Sequence, residues 1–159
     1  MTAETLTGAN ASRTLPVYKP VGGYALAVAH GSYSVAAAVE DGDIFELFIL
    51  PAGAVVVAGE MWVSDMDTGT EELEIDLGYA ANGVDAASVS AFVNSGVLSG
   101  DVDTDLLYPA GTNLRKFNMT SGPVTLAAET VVQAEVIAPS STSNWQAGTI
   151  YAMALYYVP

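Results

Sequence analysis

Leu73, Ile75, Leu77 and Tyr79 alternate with Glu72, Glu74, Asp76 and Gly78, a period of two that turns one face toward a core and the other toward water. This pattern predicts an antiparallel surface strand. Upstream, Ile44 to Leu50 is apolar on both faces apart from Glu46. Pro51-Ala52-Gly53 then turns the chain, and Ala54 to Val63 runs apolar again, as strands buried on both sides do. Three strands joined by short turns leave no room in this stretch for catalytic machinery.

The same period extends to either side. Tyr24, Leu26 and Val28 alternate with alanines, and after His30-Gly31-Ser32 the alternation resumes at Tyr33, Val35, Ala37 and Val39. The segment is expected to be a hairpin turning at His30-Gly31-Ser32. Glu40-Asp41-Gly42-Asp43 forms the next turn, and Asp65 to Thr70 a loop. The β pattern breaks from Asn82 to Gly100, where Asp85 is placed to cap a short helix through Ala86, Ala87, Val89, Phe92 and Val93, ended by Gly96. Leu114 to Met119, Val124 to Ala128, Thr130 to Ala138 and Thr149 to Val158 read as strands, with Pro109, Gly111, Gly122, Pro139 and Gly148 in the turns.

About nine closely spaced strands predict an all-β chain, an antiparallel β-sandwich or jelly roll, with one short helix and an extended N-terminal arm. The arm is residues 1–20, rich in Thr, Ala, Ser and Asn, and the sandwich domain is 21–159. Pro16 and Pro20 favour extended backbone around Val17, Tyr18 and Lys19, and Leu15, Val17 and Tyr18 are anchors that a frayed tail does not need. The last strand is the most apolar piece. Ile150, Ala152, Ala154, Tyr156 and Val158 share one face, and Tyr151, Met153, Leu155 and Tyr157 the other. Such a strand is central in a sheet or covered by a partner, and tyrosines favour contact patches.

Composition narrows the function classes. With 159 residues, 51% of them hydrophobic, the chain can bury a sizeable core despite a formal net charge of -14. Arg13, Lys19, Arg115 and Lys116 are the only basic residues, so Pro20 to Leu114 carries fifteen carboxylates and no cation. Nucleic acid is therefore not an expected partner. A negative surface keeps particles apart and suits high salt. There are no cysteines, which excludes disulfides and thiolate metal sites. The N-terminus lacks the apolar core of a secretory signal, and the longest apolar run is short and broken by Pro51, so no membrane role is expected.

Candidate chemistry is thin. Asp101, Asp103 and Asp105 are spaced as at the start of a calcium loop, without the glycine and the later glutamate of an EF-hand. Asp65, Asp67, Glu71 and Glu72 share one acidic loop, but spacing alone does not bring their oxygens together. His30 is the only histidine and reads as a turn residue; no nucleophile-elbow sequence surrounds any serine. Phosphate-binding and dinucleotide motifs are missing as well. Neither an enzyme nor a cofactor is expected.

The run GDIFELFILPAGAVVVAGEMWVSD, the acidic strand LEIDLGY, the segment NGVDAASVSAFVNS and the closing aromatic strand together resemble small β-sandwich proteins of tailed bacteriophages that decorate or cement the capsid. The resemblance spans roughly residues 40–159 and is one of pattern. It implies a non-enzymatic virion protein on the capsid exterior, partnered by the major capsid protein and forming a homo-oligomer, with a trimer favoured. Leu15, Val17, Tyr18 and Lys19 are the expected contacts from the arm, and Trp145, Tyr151, Tyr156 and Tyr157 those from the domain. Trp62 is a further aromatic, in a strand expected to be core. The competing expectation is a carbohydrate- or receptor-binding sandwich of a phage tail or fibre, with Trp145, Tyr108 and Asn144 as its site. A calcium-dependent surface module using the acidic loops is a third.

Overall fold

The computed structural model describes residues 5–10, 25–67, 72–94, 112–140 and 145–159, with backbone only for 7–10 and 112–113. Ten strands are present among them: β1 (Thr5–Asn10), β2 (Ala27–Val35), β3 (Ile44–Leu50), β4 (Val55–Ser64), β5 (Glu74–Tyr79), β6 (Ser88–Val93), β7 (Thr112–Lys116), β8 (Val124–Thr125), β9 (Thr130–Ala138) and β10 (Gly148–Tyr157). The first sheet runs β1-β3-β9-β5-β6 and the second β2-β10-β4-β7, with β8 also against β4. The chain is all-β, as its period of two predicts.

The sheets face each other across one core. Phe45, Leu47, Phe48, Ile75, Leu77, Val132, Ala134 and Val136 come from the first sheet, and Ala29, Val56, Met61, Val63, Ile150, Ala152, Ala154 and Tyr156 from the second. The edges of the sandwich are closed. On one side Phe92 and Phe117 stack with centroids 4.8 Å apart, and the Asn118 N–H donates to the Phe92 carbonyl at 2.7 Å. On the other, Tyr33 of β2 meets Phe45 of β3 at 5.1 Å.

Several expectations are corrected. No hairpin forms at Gly31: β2 runs unbroken from Ala27 to Val35 and pairs with β10 throughout. Gly31 is there because the sheets approach closely. A Cβ at this position would run into the Leu47 carbonyl of the opposite sheet. By contrast Gly53 is a true turn glycine, with φ 78° in the turn closed by the Ala54 N–H donating to the Pro51 carbonyl.

The short helix is absent, and 88–93 is strand β6, paired with β5. Ser88, Val89, Ser90, Phe92 and Val93 are poor helix formers, and Phe92 and Val93 are buried against the core. Asp85 caps nothing. Its carboxylate accepts from the Asn82 amide at 2.7 Å and from the Ala127 N–H at 2.8 Å, while the Asn82 oxygen accepts from the Val84 and Asp85 N–H groups. The Asn82 amide, and then the Ala127 N–H, hold the Asp85 carboxyl below its ordinary value. A loop-to-loop tie has replaced the helix cap.

The N-terminal stretch also differs from a plain extended arm. Thr5–Asn10 is a strand at the edge of the first sheet, parallel to β3, while every other pairing is antiparallel. It covers an edge of β3 that would otherwise present a row of unpaired backbone groups on a very apolar strand.

Candidate interaction surface

Strand β10 is central in the second sheet, between β2 and β4. Its burial alternates, so Ile150, Ala152, Ala154 and Tyr156 are in the core while Tyr151, Met153, Leu155 and Tyr157 are half-buried on the outer face. Of the expected domain contacts, Tyr156 is thus corrected: at 0% exposure it has no surface to offer a partner. Tyr151 and Tyr157 remain on the outside.

Register then assembles the outer face row by row. Tyr151 stands between Ser32 of β2 and Trp62 of β4, and Trp62 is opposite Leu114 of β7. Met153 stands between His30 and Glu60, and Glu60 opposite Lys116. Leu155 stands between Val28 and Ala58. Leu26 and Val28 are 62% and 45% exposed, large values for aliphatic side chains. The aromatic rings form a line across three strands. Trp62 and Tyr151 stack at 5.3 Å and 22°, and His30 lies 6.2 Å from Tyr151 at 29°.

Two of these residues were placed elsewhere by sequence reasoning. Trp62 is not a core residue: Met61 and Val63 point inward, and the pleat turns Trp62 outward with Glu60 and Ser64. His30 is not in a turn but on an exposed position of β2. The signal that could have found both was parity. His30, Ser32 and Ser34 share one face of β2, and Glu60, Trp62 and Ser64 share one face of β4.

The outer face of the first sheet has the opposite character. Asp76 of β5 is in register with Glu135 of β9, and Glu46 of β3 with Gln133. Burial, and after it the charges of Asp76 and Asp41, push the Glu135 carboxyl above its ordinary value. Arg115 and Lys116, the cations among the described residues, are both on β7 of the second sheet. The outer side of the first sheet carries carboxylates, with Asp76 largely buried, together with the exposed Ile137 of β9, whereas the outer face of the second sheet is near-neutral and apolar.

The remaining expected sites are at the ends of the sandwich or outside the described residues. Trp145 is half-buried, forms an isolated bridge with Asp67 and packs against the core. Its indole nitrogen, the Asp67 Oδ1 and the Ser140 Oγ are buried without a hydrogen-bond partner among the described residues. In the acidic loop, the Asp67 Oδ2 accepts from the Glu72 and Leu73 N–H groups and the Asp65 Oδ1 from the Asp67 N–H. No three acidic groups among the described residues converge to hold a metal ion. A cavity of about 250 Å³ beside β1 is lined by Leu6, Tyr33, Val39, Asp43 and alanines, and Asp43 is tied to the Glu40 N–H at 2.8 Å. Leu15, Val17, Tyr18, Lys19, Glu71, Asp101, Asp103, Asp105, Tyr108 and Asn144 lie outside the described residues.

This fold recurs in solved structures. The chain superposes on one from the capsid of Ralstonia phage GP4 with a TM-score of 0.73, at 19% identity over 98% of each chain. It shares its fold with proteins of phage capsids. A chain of the cyanophage Pam1 capsid asymmetric unit matches with a TM-score of 0.64 at 21% identity, covering 95% of this chain and 99% of that one. One from the acid-stable capsid of the Helicobacter pylori bacteriophage KHP30 matches at 0.56 and 17% identity, over 87% and 91%. No family model matches the sequence, and no curated protein matches it.

Proposed function

We propose that this chain is a non-enzymatic structural protein of a phage virion that binds the outer surface of the assembled capsid and stabilises it, as decoration or cement proteins do. The observation that carries this reading is the likeness of the whole chain, end to end, to a chain of a phage capsid. The strongly acidic character supports an outward position, because it keeps particles apart in solution.

A protein that binds the assembled shell better than dispersed subunits stabilises the shell by mass action, and many weak sites on one particle add up. The major capsid protein is the partner. Leu15, Val17, Tyr18 and Lys19 supply the grip, combining apolar anchors with one of the four cations of the chain. Because β1 lies upstream of them and covers β3, the test is substitution of these four residues by serine rather than deletion of the N-terminus. The substituted protein is expected to keep the melting temperature of the wild type and to attach less well to shells. Undiminished attachment would remove the arm from the account.

A further inference from the structure

The two faces of the sandwich differ in charge. On the described part of the second sheet's outer face the ionisable groups are Glu60 and Lys116, side by side in register, with His30 two strands away and the tyrosines of β10. Everything around them is aromatic, aliphatic or hydroxylic: Leu26, Val28, Tyr151, Met153, Leu155, Tyr157, with Ser32 and Ser34 at one end. A charge-neutral patch on a chain of formal net charge -14 is where another strongly acidic body can come close. A basic partner would be drawn to the first sheet instead.

We infer that the outer face of the β2-β10-β4-β7 sheet joins two copies of this chain face to face about a two-fold axis. Three arguments fix the second copy as occupant. The first is charge. In a stack of four sheets spaced about 10 Å apart, the acidic outer faces of the two copies are about 30 Å from one another, several times the Debye length of about 8 Å at physiological ionic strength. Self-repulsion then falls away.

The second argument is area. Three strands of nine or ten residues, about 30 Å long, and the five-residue β7, all about 4.8 Å apart, present roughly 500 Å², so two such faces bury about 1,000 Å², the area at which a specific interface begins. The third is composition. Tyrosine, tryptophan and methionine are the residues that interfaces concentrate, and here Tyr151, Trp62 and Met153 are adjacent in the middle of the sheet. A face that meets its own copy makes an isologous pair. It therefore replaces the three-fold oligomer expected from sequence by a two-fold one.

The test is the mass of the intact protein by sedimentation velocity across a dilution series. The wild type is expected at twice the chain mass of 16.4 kDa. Met153→Glu sets a carboxylate beside Glu60 in the centre of the face and should move the mass to a single chain. Lys116→Glu, at an exposed position, should weaken the pair in the same direction, and Glu135→Lys on the other sheet should leave it intact. Circular dichroism establishes that each variant is folded. A wild type of one chain at every concentration overturns the inference, as does a mass of three chains. So does an unchanged dimer in both Met153→Glu and Lys116→Glu. If the wild type is a single chain but Met153→Glu abolishes attachment to shells, the face docks on the capsid and the self-pairing is wrong.

Discussion

Trp62 and Tyr151 stand opposite each other in register on adjacent strands, their rings 5.3 Å apart and 22° from parallel on the outer surface of the second sheet. The next aromatic along β10, Tyr156, has the inner parity and is fully buried. One strand thus carries tyrosines in two different trades. Removing Tyr151 forfeits a surface stack, worth about 0.5–1.5 kcal/mol beyond its area. Removing Tyr156 opens a core cavity, at about 3–5 kcal/mol for a large aromatic. Urea unfolding of Tyr151→Ala and Tyr156→Ala should separate them in this order, and equal losses would show that the outer face is as deeply covered as the core.

Gly31 sets the distance between the sheets. With a Cβ directed at the Leu47 carbonyl, backbone against backbone, neither side has a flexible end that can move aside. Gly31→Ala is therefore expected to cost about 1–3 kcal/mol or more, the scale of overpacking in a filled core. The measurement is the denaturation midpoint. Gly83→Ala is the control: a Cβ there meets nothing, although its φ of 89° strains any side chain, so its loss should be the smaller. A Gly31→Ala variant as stable as the wild type would contradict the close approach.

Glu135 gives the fold a dependence on pH. Its carboxyl is raised by burial and by Asp76 and Asp41, so the folded state takes up its proton more readily than the unfolded chain does. The ionised group opposes folding at neutral pH, and that opposition is relieved as pH falls through the folded value toward the ordinary 4.5. Glu135→Gln should raise the melting temperature at pH 7, and its advantage should shrink steadily in acid. A lower melting temperature at pH 7, or a gain that is the same at both ends, would contradict this.

How much was legible in the sequence follows the range of the interactions involved. Leu73, Ile75 and Leu77 state a strand and its core face locally, although Asp76 on the other face is buried rather than in water, and the turn at Pro51-Ala52-Gly53 is a matter of its own dihedrals. Those features were readable. Gly31 was misread as a turn because the atom that demands glycine belongs to Leu47 in the other sheet. Asp85 was misread as a helix cap because its partner Ala127 is 42 residues away. The parallel pairing of Thr5–Asn10 with β3 left little trace in a stretch whose one large apolar residue is Leu6. For the surface, the alternation of β10 separated Tyr151 and Tyr157 from Tyr156 without telling which face is outside, and Trp62 and His30 were lost to a wrong assignment of parity and of turn.

The central claim is attachment to an assembled capsid, and co-sedimentation tests it most directly. Purified protein is mixed with mature shells of the source phage, previously stripped of it, at low and at high salt. The account predicts saturable binding at a fixed ratio to the major capsid protein. No binding at either salt would contradict it.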